Sequence, residues 1–88
     1  MQAGGAGRIV RIEDFRFVPA EIRVPRGGKV TFVNMDAARH TATSGEKGLF
    51  DTGLLEKGES KTVTFEDAGA SPYFCRPHPF MRGRVVVR

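Results

Sequence analysis

Apolar and polar residues alternate with period two through much of the chain. Val30 and Phe32 alternate with Lys29, Thr31 and Val33, and Val63 and Phe65 with Thr62 and Thr64. Ile22 and Val24 flank Arg23, while Phe15 and Phe17 flank Arg16. Successive side chains of a strand point to opposite faces, so this pattern predicts strands with one face buried and one wet. No stretch places apolar residues at i, i+3, i+4 and i+7 over three turns, and no long helix is expected. Turn formers fall between the alternating runs: Pro25-Arg26-Gly27-Gly28, Glu56-Lys57-Gly58-Glu59 and Glu66-Asp67-Ala68-Gly69. Strands are expected at about 8–12, 15–18, 21–24, 29–34, 40–44, 49–51, 60–65, 72–75 and 83–88. Pro19 and Pro72 are placed near strand starts, where a missing N–H is tolerated. Seven to nine short strands with frequent turns predict an all-β sandwich or barrel.

With 88 residues the chain is one domain, expected over 8–88, preceded by a flexible Gly/Ala-rich segment, 1–7. That segment has no apolar stretch of the signal-peptide kind, and no run approaches the ~18–20 apolar residues of a membrane span. The chain as given is therefore expected to be soluble. A domain this small has little stability to spare, and disulfides or metals often supply the remainder. Cys75 is the only cysteine, which rules out a disulfide within the chain and leaves a metal as the stabiliser to look for. Net charge is +4, favouring acidic partners. The basic residues (Arg8, Arg11, Arg16, Arg23, Arg26, Lys29) are scattered and alternate with apolar ones. That is not the clustered stripe expected for binding nucleic acid.

Two histidines and one cysteine form a small metal-capable inventory. Cys75-Arg76-Pro77-His78-Pro79-Phe80-Met81 places Cys-x-x-His-x-x-Met between two expected strands, with two prolines stiffening the loop around His78. His40 lies at the start of another strand, after the small polar segment Asn34 to Arg39. One thiolate, two imidazoles and a thioether suit copper in both oxidation states. Two His and one Cys with a weak axial Met is the blue-copper arrangement. A structural zinc site takes four strong N/S ligands, one more than this set offers. Taken singly, Cys75 reads as a buried hydrophobe and Met81 as core filler; spacing, loop placement and the second histidine together favour the metal. A nucleophilic Cys–His enzyme is the other reading of the pair. The sequence offers no polar orienter nearby, and the apolar, proline-rich loop suits it badly.

The segment Phe74 to Val87 resembles the copper loop and last strand of the plastocyanin-like cupredoxins, amicyanin-type members in particular. Phe17-Val18-Pro19-Ala20-Glu21-Ile22-Arg23-Val24, Val30 to Asn34, His40-Thr41, Phe50-Asp51-Thr52-Gly53 and Gly58-Glu59-Ser60 are similar to that family too. The resemblance implies a Greek-key β-sandwich in which His40, Cys75 and His78 are the strong ligands of one type 1 copper and Met81 the axial one. It implies a periplasmic, monomeric, non-enzymatic carrier of single electrons. The alternative function is a copper carrier or storage protein without redox duty. In such a sandwich the edge of His78 is the electron port, ringed by an apolar patch of Pro77, Pro79 and Phe80. Arg76 and Arg82 beside it are candidates for steering an acidic redox partner. Short-loop members of the family can release and protonate the second histidine when reduced, which is the expectation for His78. One position departs from the family pattern: Thr41 stands where many members have Asn, whose side chain ties the two ligand loops together. Bracing is expected to be weaker there or carried differently. Thr41 N–H remains a donor to the Cys75 sulfur, whereas Pro77 has none to give.

Overall fold

Alternating segments can bury their apolar side chains only by facing a second sheet, and the computed structural model shows that solution. It describes residues 7–45 and 49–88. Apart from Gly7, which opens the first strand, the expected flexible segment lies outside the described residues. Eight strands follow in order: β1 (Gly7–Glu13), β2 (Arg16–Val18), β3 (Glu21–Val24), β4 (Gly28–Asn34), β5 (Thr43–Ser44), β6 (Ser60–Phe65), β7 (Gly69–Phe74) and β8 (Arg82–Val87). One sheet has the order β2-β1-β4-β6 and the other β3-β8-β7-β5. β1 runs parallel to β4 and β3 parallel to β8; the remaining pairs are antiparallel. The chain crosses repeatedly between sheets, giving the expected Greek-key sandwich, and no described residue is helical.

Val10, Ile12, Phe17, Val30, Phe32 and Phe65 from one sheet meet Ile22, Val24, Tyr73, Val85 and Val87 from the other. Each such side chain contributes about 1.5–3 kcal/mol when buried. The rings interlock edge-to-face, with centroids 4.7 Å apart for Phe17–Tyr73 and 5.2 Å for Phe32–Tyr73.

Three expectations are corrected. The strands expected at 40–44 and 49–51 reduce to β5 plus isolated bridges, His40↔Leu55 and Thr43↔Asp51. Side-chain hydrogen bonds, described below, do much of the holding there. Pro72 lies inside β7, not at its start. Its C=O accepts the Gly45 N–H on the side where β5 has already ended, so its missing N–H costs the ladder nothing. Phe15 is not the first inward residue of a strand. Glu13 pairs with Arg16, which makes Asp14 and Phe15 the two tip residues of the β1–β2 hairpin. Both have positive φ, 53° and 57°. A two-residue hairpin favours that geometry because it matches the strand twist. For non-glycine residues it costs about 1–2 kcal/mol each, and the offsetting contacts come from the loop after β4.

Candidate metal centre

The loop after β4 is organised by Asn34, which is fully buried. Its amide donates to Ala38 O (2.9 Å) and Leu55 O (2.7 Å), and its Oδ1 accepts the Asp36 N–H at 2.9 Å. This folds residues 35–39 into a tight turn and delivers His40, also fully buried, to the interior. His40 is then fixed through its backbone by paired bonds with Leu55.

The segment from Cys75 to Met81 closes on itself. Cys75 N donates to Met81 O, Met81 N to His78 O, and His78 N to Cys75 O, at 3.1, 2.9 and 3.2 Å. Cys75 and Met81 are buried, His78 is half-buried, and Pro77, Pro79 and Phe80 are exposed. The structure thus brings His40, Cys75 and His78 together, with ligand atoms all within 4.8 Å of one another. Met81 is buried in the same loop and is joined by one backbone hydrogen bond each to Cys75 and His78.

Cys75 Sγ lies 3.5 Å from His40 Nδ1 and 3.7 Å from His78 Nδ1. An ion bonded to sulfur at about 2.3 Å and to imidazole nitrogen at about 2.0 Å separates ligand atoms at 120° by roughly 3.7 Å. Both sulfur–nitrogen distances therefore already match a trigonal site, and the residues fit a metal.

His40 is oriented from behind. Its Nε2 is 2.9 Å from Asp36 Oδ2, and a carboxylate only accepts, so Nε2 carries the proton and Nδ1 presents its lone pair toward Cys75. The same carboxylate takes the N–H groups of Asp14 (2.8 Å) and Phe15 (3.0 Å), which steadies the left-handed hairpin tip. Burial pushes the Asp36 carboxyl up, but the bonds from Phe15, Asp14 and His40 outweigh it and hold the group below the ordinary carboxylate range. Its share of the stability is present above that range and is lost as the pH falls through the depressed value. Held this way, the Phe15 ring stands edge-on to both His40 and His78, with centroids 5.0 Å from each.

Asp36 orients His40 and not the Cys75–His78 pair, for which the sequence offers no polar orienter; this pairing of strand-end loop and hairpin tip is one that spacing does not reveal. A nucleophilic role still has no support, since Cys75 is fully buried and a substrate has no approach to its sulfur.

Thr41 N donates to Cys75 Sγ at 3.4 Å, as expected. The expected change in bracing takes a definite form. Thr41 Oγ1 accepts the Arg76 N–H at 2.9 Å, so the threonine side chain itself ties the His40 segment to the Cys75 loop. Arg76, a candidate for steering an acidic partner, is paired with Asp51 at 3.1 Å. Arg82 forms no ion pair among the described residues. Phe15, Asp36, Thr43 and Asp51 were not singled out as site residues from the sequence; Asp36 and Asp51 resemble ordinary solvated acids until the fold places them.

With this geometry in view, the likeness to known proteins becomes specific. Residues 8–88 match the copper binding proteins of the plastocyanin/azurin family. Amicyanin of Paracoccus versutus is 34% identical over 84 residues, 90% of this chain and 63% of that protein. Amicyanin of Paracoccus denitrificans is 36% identical over the same shares. The chain spans less than two thirds of the length of these curated relatives. A solved reduced amicyanin variant superposes with a TM-score of 0.87 at 32% identity, covering 99% of this chain and 87% of that one. A Cu-containing nitrite reductase from Thermus scotoductus SA-01 gives 0.84 at 32% identity, with 91% of this chain matching 22% of the enzyme's. Sequence, fold and donor set agree: the chain belongs to the plastocyanin/azurin family of copper binding proteins.

Proposed function

We propose that residues 8–88 form a single cupredoxin domain that holds one type 1 copper through His40, Cys75, His78 and Met81 and carries single electrons between redox proteins of the periplasm. The observation that supports this best is the sulfur–imidazole spacing of 3.5 and 3.7 Å, combined with a His40 tautomer fixed by Asp36. When bound, copper supplies the one-electron Cu(II)/Cu(I) couple. The chain's part is to hold His40, the cysteine and the methionine in place whichever oxidation state is present. The self-bonded loop, its two prolines and the Thr41 brace do this, so little protein has to move during transfer.

His78 is the port in this reading. Unlike the fully buried His40 it is half-buried, with the rings of Phe15 and Phe80 at 5.0 and 6.2 Å. Phe80 is 71% exposed and lies with Pro77 and Pro79 in an apolar surround suited to brief docking. Electron carriers commonly use interfaces below about 1,200 Å². Net charge of +4 steers the chain toward an acidic partner, with Arg82, which forms no ion pair among the described residues, beside the loop. Electron-transfer rates with such a partner are expected to fall as salt rises from 10 to 300 mM, measured by stopped flow; a flat profile would remove the electrostatic part of this reading.

Among the described residues, one cluster of His, Cys, Asp or Glu groups, His40, Cys75 and His78, could hold a metal ion. Adding Cu(II) to the purified apoprotein is expected to produce an intense blue band and narrow parallel hyperfine splitting in EPR. Their absence would sink the type 1 assignment. Reversible one-electron voltammetry then separates an electron carrier from a copper carrier or store: sluggish or irreversible waves favour the second.

A further inference from the structure

Asp51, eleven residues beyond His40, bonds neither imidazole nor sulfur, yet it closes a ring of hydrogen bonds that reaches the Cys75 sulfur through Thr41. Thr43 Oγ1 donates to Asp51 Oδ1 at 3.2 Å. Thr41 Oγ1 and Thr43 Oγ1 are 2.8 Å apart. Arg76 N donates to Thr41 Oγ1 at 2.9 Å, and the Arg76 guanidinium returns to Asp51 Oδ2 at 3.1 Å.

The direction of this ring follows from chemistry alone. An ionised carboxylate accepts and never donates, so Thr43 spends its one hydroxyl proton on Asp51. Thr43 must then accept from Thr41, and Thr41, its proton spent, has only lone pairs left for the Arg76 N–H. The bonds from the Arg76 N–H through Thr41 and Thr43 all run the same way and end on the Asp51 carboxylate, the arrangement in which neighbouring bonds strengthen one another, and the Arg76 guanidinium reaches the same charge from the other side. The carboxylate is itself held, because Oδ1 also accepts the Gly53 N–H at 2.8 Å. Thr41, the pivot, is fully buried and donates its backbone N–H to Cys75 Sγ at 3.4 Å.

We propose that Asp51 is a positioning residue for the copper thiolate: acting through Thr43 and Thr41, it locks the Cys75–Met81 loop to the His40 segment and keeps the Thr41 N–H on the sulfur. The inference rests on the type 1 reading of the site. Hydrogen bonds to a ligating sulfur drain electron density from it, so holding that N–H in place raises the reduction potential. Asp51 and Arg76 are partly exposed, so the ring is buried at its working end and wet at its anchor.

Thr43→Val tests this while keeping side-chain shape and the Arg76–Asp51 pair. In the apoprotein, the Arg76 amide is expected to exchange with solvent about fivefold faster, the factor that one hydrogen bond of about 1 kcal/mol represents. In the copper form, the sulfur charge-transfer band moves and the midpoint potential drops. Thr43→Ser restores all three readouts, and Asp51→Ala reproduces the Thr43→Val effects. A wild-type protein that never turns blue overturns the type 1 reading itself. A blue wild type whose band, potential and Arg76 exchange are untouched by Thr43→Val overturns the role given to Asp51.

Discussion

The Cys75→Ser protein is expected to fold, to stay colourless with Cu(II), and to bind the ion more than about 100-fold less tightly than wild type. Loss of even an outer-shell partner of a metal ligand costs roughly 10–100-fold, and here the proposed ligand itself goes. Serine nearly matches cysteine in size, so the swap separates two roles. As core filler alone, Cys75 would register only as a change in stability, because it is fully buried within the apolar cluster. As the thiolate of an N₂S centre, it carries the colour, the covalency and most of the selectivity for copper. Titration of the apoprotein by absorbance and calorimetry, beside a thermal melt, gives both readouts. A blue Cys75→Ser protein would remove Cys75 from the site.

Gly83→Ala is expected to destabilise the domain by about 3 kcal/mol, the upper part of the usual range for overpacking a well-filled site. Tyr73 and Gly83 face each other across β7 and β8. A Cβ on residue 83 would come within 2.4 Å of Tyr73 Cζ and Oη, a contact that real side chains do not make. The ring has no easy retreat, since Phe17, Phe32 and Phe50 stand around it with centroids at 4.7, 5.2 and 6.1 Å. Chemical denaturation should therefore give a strongly non-additive cycle: in a Tyr73→Leu background the cost of Gly83→Ala falls to about 1 kcal/mol or less. Additive costs would mean that the ring is not what excludes the methyl group. Tyr73→Phe alone is expected to be neutral or stabilising, because the buried hydroxyl has no hydrogen-bond partner among the described residues.

These two positions mark how far the sequence could be read. Cys75, His78 and Met81 were legible because six residues of local spacing bring them into one loop, and the loop lies between two strongly alternating runs. His40 was legible from the small inventory and the family pattern. Gly83 was not, because its necessity arises from the register that puts it opposite Tyr73, and register is set by the whole sheet. Phe15 was misread for a related reason. Alternation with Phe17 looks the same whether a strand begins at residue 15 or a hairpin turns there. Only Asp36, supplied from a distant loop, makes the turn affordable for two non-glycine residues. Asp51 and Thr43 likewise acquire their meaning from a bridge across an eight-residue excursion. Local chemistry could be read from the chain; the groups that aim it are brought in by tertiary contacts.

Three donors from two separate parts of the chain converge on the two oxygens of Asp36: the hairpin-tip amides of Asp14 and Phe15, and the ring of His40. The hairpin tip and the buried imidazole therefore share a single mechanical joint. A load that presses on the exposed Phe15 ring is borne by a carboxylate whose other grip is on an imidazole with no surface of its own. The β1–β2 hairpin is, in effect, a lever with its handle in solvent and its fulcrum at Asp36, and His40 is at the far end.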